Sequence, residues 1–112
     1  MGFAAYIRAP EVEGKEKHIP DLALSQDEVG TVVTVIVGKT VLHPTTKEHH
    51  IEWVQLFGET PDGKFVQIGV LNFGKGTAFP KGSVVIKKED YTSLTALVYC
   101  NLHGVWENSL TL

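Results

Sequence analysis

Five histidines and one cysteine are the residues of this chain best suited to chemistry. His18 follows Glu16-Lys17 and precedes Pro20, His43 stands before Pro44, His49 and His50 are adjacent, and Cys100 and His103 flank Asn101-Leu102. Imidazoles and thiolates are metal ligands, and a Cys-x-x-His spacing lets one tight turn offer both to the same ion. Each piece alone is weak. An isolated loop histidine is usually a solvated residue, and a buried cysteine usually packs as a small hydrophobe. Several imidazoles with a single thiolate are a more specific set, suited to iron, copper or zinc.

Such ligands need a rigid frame. Residues 31–37 are almost all Val, Ile and Thr, the pattern of a strand buried on both faces. Residues 51–57 form a second apolar run, interrupted by Glu52 and Gln55, and residues 65–73 a third. Pro61-Asp62-Gly63 between them predicts a hairpin turn. Residues 83–86, 94–100 and 105–112 complete the strand set, with 4–8 as a further edge strand before Pro10. Thr45 and Glu48 make a capping-box pair, but Pro44 and the strand after His49 leave room for only a short turn of helix between His43 and His49. Many short strands with Gly/Pro punctuation predict an all-β, antiparallel sandwich or barrel. His18, His43, His49, Cys100 and His103 then fall at strand ends, where loops on a sheet commonly carry ligands. His50 points away from its ligating neighbour in extended chain and reads as a supporting or surface residue. Trp53 and Trp106 read as core or interface aromatics. The glycines of residues 72–76 precede no helix, which argues against a phosphate loop.

A chain of 112 residues suits one domain, 1–112. Ten basic residues against thirteen acidic, with no long basic run, argue against nucleic acid or an anionic membrane as partner. One cysteine allows no internal disulfide and fits a reducing compartment. Residues 1–10 lack the basic start, apolar stretch and cleavage site of a signal peptide, and no run approaches membrane-spanning length. A cytoplasmic protein is expected.

Three blocks together are more specific: Glu16-Lys17-His18-Ile19-Pro20; the segment from His43-Pro44-Thr45 through Glu48-His49-His50 to Trp53; and Cys100-Asn101-Leu102-His103-Gly104. Their order and spacing resemble the one-iron superoxide reductases, or neelaredoxins, relatives of the desulfoferrodoxin catalytic domain. The resemblance implies an immunoglobulin-like β-sandwich and an oxidoreductase of oxidative stress defence, which reduces superoxide to hydrogen peroxide without efficient dismutation. It implies one iron held by His18, His43, His49 and His103 in a plane, with Cys100 as the axial thiolate and the opposite position open. It implies that Glu16 fills that position once iron is ferric, and that Lys17 attracts the superoxide anion and orients a proton-donating water. It further implies electron transport from reduced rubredoxin or a similar small donor, and assembly as a homotetramer, with a dimer as the alternative. The four-cysteine module of two-domain relatives has no counterpart cysteines here.

Two other readings compete. A structural zinc-binding β-sandwich module would need a closed four-coordinate site, usually richer in thiolate, which five candidate ligands with one cysteine fit poorly. A cysteine hydrolase using Cys100 and His103 would leave Glu16, His18, His43 and His49 without a task.

Overall fold

A computed structural model describes residues 2–9 and 17–112. Among these described residues eight strands follow in order: β1 (Ile7–Arg8), β2 (Pro20–Gln26), β3 (Thr31–Val37), β4 (Ile51–Glu59), β5 (Phe65–Asn72), β6 (Lys81–Ile86), β7 (Ser93–Cys100) and β8 (Gly104–Thr111). They make one sheet of order β1-β8-β7-β4-β5 and another of order β2-β3-β6. The ladders are antiparallel except β1 on β8, which is parallel. This is the expected all-β, immunoglobulin-like sandwich. Among the described residues, no helix is long and apolar enough to cross a membrane.

The core comes from strand alternation. In β7, Leu94, Ala96, Val98 and Cys100 point inward and are fully buried. In β3, Thr31, Val33, Val35 and Val37 do the same from the other sheet. The expectation that β3 is buried on both faces fails by half: Val32, Thr34 and Ile36 are only half-buried. The β-branched run there serves strand propensity, while the outer face of a three-stranded sheet stays partly open.

Strand β4 carries an irregularity that matters for the site. Its pairing with β7 runs Ile51 to Cys100 and then Trp53 to Tyr99, so Glu52 is an extra residue. Without that bulge, Ile51 would share the outward phase of Trp53, because a one-residue shift reverses every side chain. With it, Ile51 and Val54 both face the core.

Two local expectations are corrected. No helical turn forms between His43 and His49; the segment is a series of bends. The Thr46 hydroxyl accepts the His49 N–H at 3.0 Å, and Thr46 N–H donates to the His49 carbonyl at 2.9 Å. The turn closes through a hydroxyl that competes with helical pairing. At the N-terminus only Ile7–Arg8 is strand, and Phe3–Tyr6 is a single 3₁₀ turn. The 61–63 turn forms as expected, with Thr60 N–H donating to the Lys64 carbonyl at 2.9 Å.

Candidate metal centre

The candidate ligands converge at one end of the sandwich from four places in the chain. His18 lies just before β2. His43 follows β3, and its N–H donates to the Val37 carbonyl at 2.9 Å, folding the loop back onto the strand it leaves. His49 sits in the Thr46-closed turn that leads into β4. Cys100 ends β7 and faces Gly104 across the hairpin, so the turn between β7 and β8 presents both Cys100 and His103.

The four imidazoles form a closed ring. Successive centroids are 5.1 Å apart from His18 to His43, 4.6 Å from His43 to His49, 5.0 Å from His49 to His103 and 4.8 Å from His103 to His18. The His18–His49 diagonal is longer, at 6.4 Å. Four near-equal edges with a longer diagonal describe a square, with His18 opposite His49 and His43 opposite His103. Neighbouring planes are tilted by 56° to 80° around its edges, like propeller blades.

Cys100 Sγ stands against this ring, 3.6 Å from His43 Nε2 and 3.7 Å from His103 Nδ1. His18 Nε2 and His103 Nδ1 are 3.1 Å apart. The edges turned inward are thus Nε2 for His18 and His43 but Nδ1 for His103. Donor atoms of His18, His49, Cys100 and His103 all lie within 4.8 Å of one another. Two nitrogens bound at right angles to one ion at about 2.1 Å stand about 3 Å apart, so the His18–His103 spacing fits a shared ion. His43, whose Nε2 lies 3.6 Å from Cys100 Sγ, stands beside this group of four as a fifth candidate donor, one more than a closed tetrahedral site takes. The residues present therefore fit a metal ion.

Support comes from residues that sequence reasoning placed elsewhere or passed over. His43 Nδ1 lies 2.9 Å from the Pro44 carbonyl, which accepts its proton and leaves Nε2 as the donor toward the centre. Trp106, read as a core or interface aromatic, is buried and stacks on His18 at 4.6 Å and 7°. Its indole N–H donates to the His103 carbonyl at 3.1 Å, so one side chain braces two candidate ligands. The Arg8 guanidinium lies over the Trp106 ring, 5.4 Å from its centroid. His50 is buried rather than superficial, with Nδ1 donating to the Thr46 carbonyl at 3.0 Å and Nε2 3.5 Å from Glu52. A tryptophan three residues after His103 was the one signal in the sequence for such bracing.

The glycines of 72–76 also have a place. Gly76 has φ +80°, and a Cβ there would come within 2.4 Å of the Thr46 carbonyl carbon and oxygen. Close backbone contact with the His49-bearing loop explains the residue, and no phosphate role is needed.

Lys17 is half-buried and borders a cavity of about 320 Å³ with Ile19, Asp21, Gly38, Lys39, Thr40 and Asn108. Glu16, expected to act beside it, lies outside the described residues.

Comparison with known proteins agrees with this geometry. The desulfoferrodoxin family profile matches residues 11–109. A superoxide reductase of Thermococcus kodakarensis is 39% identical over 101 residues, covering 87% of this chain and 88% of that protein. The neelaredoxin of Megalodesulfovibrio gigas is 32% identical, covering 84% of this chain and 85% of its own length. The solved superoxide reductase (1Fe-SOR) of Giardia intestinalis superposes with a TM-score of 0.79 at 37% identity, covering 88% of this chain and all of that one.

Proposed function

The chain belongs to the desulfoferrodoxin family, and from that premise we propose that it is an oxidoreductase that reduces superoxide to hydrogen peroxide at one iron ion, without efficient dismutation. The observation that carries this reading is the square of four imidazoles standing over one buried thiol. His18, His43, His49, His103 and Cys100 would hold the ion. Ferrous iron bound there would supply the single electron, and two protons complete the conversion of superoxide to peroxide.

The chain's own residues set the conditions. Neutral imidazoles leave the centre's negative charge to Cys100, whose thiolate stabilises the oxidised state of a metal. Cys100 is fully buried, so the sulfur holds the core side of the square and leaves the outer side for an anion to approach. The chain carries a net charge of −3, which repels superoxide over the molecule as a whole. A local cation at Lys17, next to a ligand, offsets that repulsion and orients a water that delivers a proton. Glu16 would serve as a further carboxylate ligand once the iron is ferric, which would keep a second superoxide from returning an electron.

Residues 1–112 act as one domain in this reading. Reduced rubredoxin or a similar small protein restores the ferrous state. Edge strand β5 carries exposed Phe65, Val66 and Val70, which supports assembly into a homotetramer, with a dimer as the alternative. The chain's one cysteine, which is buried, supports a reducing, cytoplasmic setting, and removal of superoxide places the proposed activity in oxidative stress defence.

Metal analysis tests the reading directly. Purified protein should hold about one iron per chain and turn blue on oxidation, from a cysteine-to-ferric charge-transfer band. Cys100→Ser should lose the band and the activity. A variant that remains blue would remove Cys100 from the ligand set, and a zinc-loaded, colourless parent would favour the structural-module alternative.

A further inference from the structure

We propose that Asn101 is a positioning residue that clamps the His49-bearing turn to the Cys100–His103 hairpin, so that the His49 imidazole and the Cys100 sulfur keep a fixed separation. The inference rests on the ligand assignment given above and adds a residue to it.

Asn101 sits between two candidate ligands and reaches a third across the site. Its Oδ1 accepts the His50 N–H at 2.8 Å, and its Nδ2 donates to the Glu48 carbonyl at 2.9 Å. Its own backbone N–H donates to the His50 carbonyl at 3.1 Å. These three bonds bracket His49, gripping the residue on either side of it. The backbone of His49 is already committed, its N–H to Thr46 Oγ1 and its carbonyl to Thr46 N–H. The turn is therefore closed on itself at one side and tied to the neighbouring hairpin at the other.

The clamp stands where the sheet is weakest as a template. The β4–β7 ladder reaches Cys100 through Ile51, but it slips one residue at Glu52. Beyond Ile51 the chain leaves the strand, and the bond from the Asn101 N–H to the His50 carbonyl carries the backbone pairing only as far as residue 50. The Asn101 side chain takes over from the ladder by imitating a peptide group, one acceptor and one donor on a short stem. Aspartate keeps the acceptor and loses the donor. Alanine loses both. Glutamine carries the same amide one methylene further out. A side chain with this double use, placed between two ligands, sets the geometry of a centre it does not touch.

The test compares the iron-loaded parent, Asn101→Ala and Asn101→Asp, following iron release to an excess of ferrous chelator, the oxidised charge-transfer band, and hydrogen exchange at the His50 amide. Asn101→Ala should release iron about tenfold faster or more, shift the band, and expose the His50 amide to exchange. Asn101→Asp should release iron at an intermediate rate with that amide still protected. If Asn101→Ala does not fold, Asn101→Asp decides alone, because faster release with a protected amide supports the clamp and parent-like release overturns it. Parent-like release and an unmoved band in Asn101→Ala would also overturn it. So would equal destabilisation of the metal-free and loaded forms with the band unmoved, since that is a structural effect only. A parent chain that takes up no iron overturns the ligand assignment itself, and this inference with it.

Discussion

In the proposed centre Cys100 and Lys17 would supply opposite charges, Cys100 fully buried at the end of β7 and Lys17 half-buried just ahead of His18. A thiolate there would act on a bound metal whatever the solvent, because buried interactions are screened little. The lysine acts through water and is open to screening over about 10 Å at 0.1 M salt and about 3 Å at 1 M. The rate of the ferrous protein with superoxide should therefore fall as salt rises, and fall less steeply in Lys17→Ala, which should retain its iron. Stopped-flow rates across ionic strength check this, and equal slopes would show that Lys17 does not steer. Glu16→Ala should leave the ferrous encounter nearly intact and change the ferric spectrum and its pH dependence. Loss of the fast ferrous reaction would mean that the carboxylate acts earlier than proposed. At this scale the ligand types were legible in the sequence, because few residues other than His and Cys do this chemistry. The bracing residues were not: Asn101 meets Glu48 across 53 positions, and nothing local announces such a bond.

The loops carry the site because the strands beneath them hold still. The β7–β8 hairpin delivers Cys100 and His103 as a unit, and the loop from His43 to His49 is pressed from below by Gly76. An alanine at 76 would be strained at φ +80° and would drive a methyl group into the 46–47 peptide, which is backbone and cannot swing aside. We expect Gly76→Ala to cost at least about 1 kcal/mol, lowering the thermal midpoint by about 4–8 °C, and to reduce iron retention as the turn shifts. Calorimetry of loaded and metal-free protein checks both effects; a parent-like midpoint with full iron would show that the loop yields at no cost. Most strands were legible from alternation and from turn residues such as Pro61-Asp62-Gly63. The helical turn was misjudged because Thr46, beside the supposed cap at Thr45, spends its hydroxyl on His49. The parallel pairing of β1 with β8 joins the two ends of the chain, a contact that no local pattern encodes.

Over the whole molecule, the sandwich brings together ligands far apart in the chain: His18 and His103 are separated by 85 positions yet their ring nitrogens stand 3.1 Å apart. Composition and spacing could indicate a metal site but could not choose its shape, and the resemblance in three short blocks carried that choice. The square of imidazoles over a buried sulfur now supports it on geometry alone. The proposed centre should donate one electron and then resist taking one back, because a Cys100 thiolate would favour the oxidised metal and Glu16 would serve as a ligand to it. The most direct measurement mixes fully ferrous protein with excess superoxide, without an electron donor, and follows oxygen and peroxide together. About one superoxide should be consumed per iron beyond the spontaneous background, with peroxide as the product, followed by a stall until a reductant is added. Sustained catalytic turnover, with oxygen released at about half the superoxide consumed as a dismutase requires, would contradict it.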